Sequence, residues 1–253
     1  MNQVSFNRRA LLGGLTGLFV TFTLSAQAEP DAMQLLRSAD QARGGGLTGL
    51  VWEVQTTNSG SNADEASNQR LRIKAVDTAS VAEVLDPPNS KGAKMLQVDR
   101  NMWMTKPGLK KPIAISPRQR LGGQAAIGDI AATNYAKDYT AQYLREEVLQ
   151  GEPCHVLDLV ANTRQATYDR ITYWVSAKRG VAVKADFLSL SGKRLKSADF
   201  EYANSLAIKG QSILFVSQMV ITDALTDART TLSYSRIKAQ AVPASEFDVG
   251  NLQ

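Results

Sequence analysis

The chain has 253 residues, 43% of them hydrophobic, and a formal net charge of +5. That is enough apolar material for a sizeable core, and the mild basic excess suits a partner of anionic character, such as a lipid head group, without calling for nucleic acid. A single Cys (Cys154) excludes an internal disulfide, and with a single His (His155) no His/Cys/Asp cluster has metal-ligand spacing.

The first 28 residues read as a leader peptide. Arg8 and Arg9 form a basic head, an apolar stretch runs from Ala10 to Leu24, and Ala26-Gln27-Ala28 fits the A-x-A pattern cut by signal peptidase. The stretch is too short, and too broken by Gly and Thr, for a comfortable membrane span. Two export routes fit: the run "SFNRRALLGG" loosely resembles a twin-arginine signal, and a general secretory signal with two arginines fits as well. Either route sends a chain starting at Glu29 to the periplasm. The cleavage site is not followed by a Cys that would carry lipid, so a soluble product is expected. Residues 29–253 are then a single domain whose charge falls to +3, because the leader takes two arginines and no acid with it.

The first element of the mature chain is a helix, "DAMQLLRSADQAR", opened by Pro30-Asp31 and stopped by Gly44-Gly45-Gly46. The period then changes to two. Leu50, Trp52 and Val54 share one face; Leu71, Ile73 and Ala75 lie opposite Arg70, Arg72 and Lys74. Polar residues from Asn58 to Gln69 mark a loop. Strand-like runs recur at "KMLQVD", "KPIAIS", "CHVLDLVA", "DRITYWVS", "VAVKADFLSL", "KRLKSADFEY", "SILFVSQMVIT" and "RTTLSYSRIK", punctuated by turn signals such as Pro107-Gly108 and Ser191-Gly192. "YTAQYLREEVLQ" fits either period and is read as strand. "SPRQRLGGQAAIGDIAATNY" has no alternation and is read as loop with a short helix after Gly128. The residues thus predict a mainly antiparallel β sandwich or barrel of about ten strands, one N-terminal helix and one loop-helical insertion.

Catalytic signatures are lacking. Cys154 and His155 are adjacent in a strand, so their side chains point apart and a structural role is expected for both. There is no G-x-S-x-G, phosphate loop or H-E-x-x-H, and nothing selects one carboxylate pair for glycosidase-type work. Several strands are instead partly apolar on both faces. Ile213, Phe215, Met219 and Ile221 line one face of their run, with Leu214, Val216 and Val220 on the other. Ordinary packing accounts for this, and so does a curved sheet lining an apolar cavity, for which methionines are suited walls.

The stretch from Met102 to Tyr139 resembles the outer-membrane lipoprotein-sorting (LolA-like) carriers. Met102-Trp103-Met104, Lys106-Pro107-Gly108, Ile113-Ala114-Ile115-Ser116 and Gly128-Asp129-Ile130 stand where that family has an aromatic strand end, a basic turn, an Ile-rich strand and a G-x-D entry to a helical lid. Ile130 departs from the Phe of many relatives. "GEPCHVLDLVA", "YDRITYWVSAKRGVAVKADFLSLSGK" and "VSQMVITDAL" extend the resemblance over most of the mature chain. The resemblance implies an open, bent antiparallel half-barrel with helices covering its concave face. It implies a non-enzymatic periplasmic carrier, without cofactor, that shields acyl chains of lipoproteins or lipids on their way to the outer membrane. An inner-membrane transporter and an outer-membrane acceptor would be its partners. The expected cavity wall is Trp52, Leu71, Ile73, Met102, Met104, Ile113, Ile115, Phe187, Phe215 and Met219. Lys110, Arg118, Arg120 and Asp129 are the expected lid or rim; the two arginines read equally as head-group contacts and as solvated loop charges. Two rival readings stand beside the carrier: a lipid- or lipoprotein-sensing regulator on the same fold, and a hydrolase whose acids meet across strands.

Overall fold

The computed structural model describes residues 29–252 apart from 48, 62, 64, 131–133 and 209, together with Met1. The leader and its cleavage motif lie outside the described residues.

Helix α1 (Ala32–Gln41) begins where Pro30-Asp31 predicts. The Asp31 carboxylate accepts hydrogen bonds from the Met33 and Gln34 amides at 2.9 and 3.1 Å, satisfying two otherwise unpaired donors of the first turn. Strands β1 (Leu50–Ser59), β2 (Arg70–Val76), β3 (Ala79–Asp86), β4 (Lys94–Val98), β5 (Asn101–Thr105) and β6 (Ile113–Ile115) follow as a meander. A small hairpin, β7 (Arg120–Gly122) and β8 (Ala125–Ala126), leads into α2 (Ile127–Ile130) and α3 (Tyr135–Asp138). A second meander runs through β9 (Tyr139–Leu149), β10 (Glu152–Ala161), β11 (Arg170–Ser176), β12 (Ala182–Leu188) and β13 (Arg194–Glu201). Hairpin β14 (Asn204–Ile208)–β15 (Gln211–Phe215) interrupts it before β16 (Gln218–Asp223) and β17 (Arg229–Ala239).

Among the described residues, thirteen strands form one antiparallel sheet in the order β6-β5-β4-β3-β2-β1-β17-β16-β13-β12-β11-β10-β9. The pairing of β1 with β17 joins the two meanders into one wall, which is open between its edges β6 and β9 and is not a barrel. Alternation places Leu71, Ile73 and Ala75 of β2, and Leu232 and Tyr234 of β17, on the concave face, where they enter the main core. The outer face carries two smaller apolar clusters. One joins Val81, Leu96 and Trp103 to Phe247, Val249 and Leu252 of the C-terminal turns, which cross the sheet as a strap pinned by a Lys74–Glu246 ion pair at 2.6 Å. The other is Cys154, Val156 and Trp174 with Leu149 and Val183.

The expected ten strands fall short of the thirteen in the sheet, and one expected run is divided between two sheets. Strand β3 is buried on both faces, under the strap on one side and in the core on the other, so its sequence "ASVAEVLD" does not alternate. The run "SILFVSQMVIT" is two strands. Val216 leaves the ladder to donate its amide to the Ala42 carbonyl at 2.9 Å, and the chain steps from hairpin β14–β15 into the sheet. The insertion read as loop contains hairpin β7–β8, and its helix starts at Ile127, with Gly128 inside rather than before it.

Candidate functional site

The concave face is closed by α1, α2, α3 and the hairpins β7–β8 and β14–β15. Phe215 of β15 meets Trp52 of β1 edge-on, with centroids 6.1 Å apart. Hairpin β7–β8 lies so close to the wall that a side chain at Gly123, where φ is +53°, would overlap Asn58 Oδ1 and Thr230 Oγ1. Helix α2 approaches as closely: a Cβ at Gly128 would stand 2.1 Å from Thr167 Oγ1. The glycine of the Gly128-Asp129 pair is thus a packing requirement. Its acid is an anchor. Asp129 is buried and accepts from the Ala126 amide at 2.9 Å, from the Tyr168 hydroxyl at 2.8 Å and from Lys196 Nζ at 3.2 Å.

The end of α1 brings two ionisable groups into the core. Arg43 is 4% exposed; its guanidinium lies over the rings of Phe200 and Tyr135, at 4.7 and 5.1 Å, and donates to the Tyr173 hydroxyl at 3.4 Å. Burial pushes the hydroxyls of Tyr173 and Tyr234 up to about 12, so they are neutral around this cation at ordinary pH. Asp40, one turn earlier, accepts the Ala136 amide of α3 at 2.7 Å. Burial raises its pKa to about 7, against the lowering pull of that amide and of Arg43. Asp40 and Arg43 stand four and seven residues after the buried Leu36, on the same helical face. That spacing was the available signal that both point inward.

Helix α3 is also tied to the rim of the sheet. Arg100, in the β4–β5 turn, pairs with Asp138 at 3.1 Å and donates to the Lys137 carbonyl at 2.6 Å. Lys137 pairs with Asp77 of the β2–β3 turn at 2.8 Å, and Asn134 reaches the same carboxylate at 3.3 Å. Between these ties and the glycines after α1 opens a cleft of about 440 Å3. Its floor at Ser80 and Gln97 continues into an apolar crevice under α2, lined by Ala82, Met95, Met102, Ile127 and Ile130. The crevice holds only about 10 Å3, room for roughly one water. Beyond it lie the buried side chains of the main core.

The residues expected to line a cavity meet in that interior, with one outlier. Trp52, Leu71, Ile73, Met102, Phe187, Phe215 and Met219 are buried in the main core, and Met104 and Ile115 pack against it partly buried. Ile113 is 45% exposed because β6 is the edge strand. The methionine face of β5 looks inward and Trp103 outward, beneath the strap. Of the expected rim, Lys110 and Arg120 are exposed on turn and hairpin. Arg118 pairs with Asp169 at 2.8 Å and lines, with Arg120 and Lys196, a second cleft of about 320 Å3. Asp129 belongs to α2 of the cover, with its side chain buried. The sequence reading did not single out Asp40, Arg43, Asp77, Arg100, Lys137 or Asp138. The rim ties join residues far apart in the chain, and no local pattern marks them.

Cys154 and His155 point to opposite faces. Cys154 is buried in the outer cluster with Trp174, and His155 lies 3.7 Å from Glu146 beside the Tyr143 ring. Among the described residues no group of three or more His, Cys, Asp or Glu side chains could hold a metal ion. No helix among them is long and apolar enough to cross a membrane.

Comparison with known proteins agrees with this architecture. A family model with the description "Uncharacterized protein" matches residues 76–253. Among solved structures, the LolA superfamily protein NE2245 from Nitrosomonas europaea is 29% identical over 87% of this chain and 98% of its own, with a TM-score of 0.77. A putative outer membrane lipoprotein-sorting protein domain from Vibrio parahaemolyticus (18% identical, 87% and 97% covered) and a DUF1329 family protein from Desulfovibrio piger (18%, 88% and 98%) each have a TM-score of 0.72. At that identity these two show a shared fold. No curated protein matches.

Proposed function

Because the chain belongs to the family whose model spans residues 76–253 and has a LolA-like fold, we propose that it is an exported carrier. In this reading it takes the acyl chains of lipids or lipoproteins between the sheet and its cover and moves them through the periplasm towards the outer membrane. Trp52, Leu71, Ile73, Met102, Met104, Ile115, Phe187, Phe215 and Met219 form the wall, and Ile113 lies at its edge. Lys110, Arg118 and Arg120 face the medium, a head group or a partner membrane protein. The work is binding and release, not bond chemistry.

One observation carries this reading. Met33, Met95, Met102, Met104 and Met219, every methionine of the described residues except Met1, lie in or against the single core on the concave face. Methionine is unbranched and polarisable, so a core rich in it can repack around an inserted chain at low cost. Each methylene withdrawn from water contributes about 0.8 kcal/mol, so a long acyl chain can drive its own entry if the cover yields.

The test is uptake of a fluorescent fatty acid by the purified protein. The wild type is expected to bind it. Met104→Glu and Phe215→Glu, checked by circular dichroism to be folded, should bind at least about tenfold more weakly, because an unpaired carboxylate would enter the apolar wall. A folded wild type that takes up no acyl ligand, or a folded Met104→Glu that binds like wild type, overturns the assignment.

A further inference from the structure

We propose that the 440 Å3 cleft at the rim reads the head group of the carried lipid and selects a zwitterionic phosphate–amine head over an anionic one. The inference rests on the carrier reading and deepens it. The cleft sits where a head group would remain if acyl chains entered by the crevice, because Ser80 and Gln97 line both. Its volume lies within the range of small-ligand sites and is too small for a whole diacyl lipid.

Charge supplies the selectivity. Two cations, Arg100 and Lys137, line the cleft with three carboxylates, Asp77, Asp99 and Asp138. The cations are spent on the rim ties to Asp138 and Asp77, but not fully. Arg100 uses Nε and Nη2 and keeps Nη1, and the Lys137 ammonium spends two bonds, both on Asp77. These donors can meet a phosphate without releasing α3. Asp99 is different. Its backbone is held, with the amide donating to the Thr78 carbonyl at 2.7 Å and the carbonyl accepting from Gln97 at 3.0 Å. Its φ of +51° fixes it at the apex of the β4–β5 turn. Among the described residues its carboxylate has neither an ion-pair nor a hydrogen-bond partner. An ammonium group two carbons from a phosphate would find Asp99 as its counter-charge. A head with a net negative charge would instead meet a cleft already one carboxylate in excess.

The experiment is displacement of the fluorescent fatty acid by dioleoyl phosphatidylethanolamine, dioleoyl phosphatidylglycerol and monoolein. Monoolein is the uncharged reference for acyl binding alone. Phosphatidylethanolamine is expected to displace at a concentration roughly tenfold below phosphatidylglycerol, a difference of about 1.4 kcal/mol. Asp99→Asn should shrink the ratio to below about threefold while leaving monoolein unchanged, since Asn tolerates the same left-handed backbone and the fold survives. Monoolein binding with equal displacement by the two phospholipids would overturn the head-group inference and leave the carrier reading standing. No displacement by any of the three, with no uptake of the probe, would sink both. Glycerophosphoethanolamine without acyl chains should not compete; if it displaced the probe as well as the intact lipid, the cleft would be a site for a soluble ligand and the inference wrong.

Discussion

Asp129 and Asp40 are both buried acids of the cover, and they are stabilised in opposite ways. Asp129 is fully surrounded by donors, one of them the ammonium of Lys196, whose side chain is only 12% exposed. Removing the acid strands that cation, so Asp129→Ala should cost about 3–5 kcal/mol in urea unfolding. Lys196→Met added to it should recover part of the loss, because the uncompensated charge is gone; a double variant less stable than the single one would contradict this. Asp40 has one satisfied oxygen and one, Oδ1, without a hydrogen-bond partner. Burial raises its pKa from 3.8 to about 7. Between those values the native state holds a proton that the unfolded chain has released. The stability Asp40 contributes is therefore complete below about pH 4 and falls, by up to about 1.4 kcal/mol per pH unit, as pH rises towards 7. Asp40→Asn mimics the protonated form and still accepts the Ala136 amide. It should match wild type near pH 4 and exceed it increasingly to pH 8, in urea midpoints measured on both; a difference that does not change with pH would refute the assignment.

Alternation or helical spacing made most elements legible in the sequence, including β4 and β10, which bury side chains on both faces; β3, β7 and β8 were not legible. Helix α1 and strands β1 and β2 stand where periodicity and capping put them, because each has one wet face to supply the contrast. Strand β3 lacks that contrast, and β7 and β8 are too short to show a period. The sheet edges follow the same logic. β6 is only three residues long. β9 has eleven, and its first half is shielded by α1, where Met33 Sδ accepts the Ala141 amide at 3.3 Å. Its second half has no such shield. It carries Arg145, Glu146 and Glu147, and at Leu144 the register with β10 shifts, so two residues of β9 face one step of its neighbour. Charges and bulges are the usual protection of an exposed edge. Replacing all three charged residues by Thr should leave the monomer folded but promote edge pairing, seen as dimers or larger species in sedimentation at concentrations where wild type is monomeric. A triple variant that stays as monomeric as wild type would show that the edge needs no such protection.

At the scale of the molecule, the wall and the cover are built differently, and this decides how much of the site could be read. Wall residues such as Met102 and Phe187 announce themselves by alternation. The rim contacts of Arg100, Asp77, Lys137 and Asp138 bring together segments up to about 60 residues apart, and no local pattern encodes them. The wall is a continuous ladder of backbone hydrogen bonds across thirteen strands, costly to break anywhere. The cover is short segments held by a few polar contacts, several of them partly exposed ion pairs that individually contribute at most about 1 kcal/mol. Opening should therefore be motion of the cover, with α3 leaving the rim while the sheet stays whole. A tether tests this. Asp77 and Asn134 touch through short side chains, at 3.3 Å. Cys at both positions, bridged by a short thiol-reactive linker, would fasten α3 to the β2–β3 turn; the natural Cys154 is buried and should not compete for the reagent. The bridged protein should take up the fluorescent fatty acid at least about tenfold more slowly than the same variant left unbridged, with an unchanged or raised unfolding midpoint. Equal uptake rates before and after bridging would mean that the acyl chain enters elsewhere, with the β14–β15 side of the cover next in line.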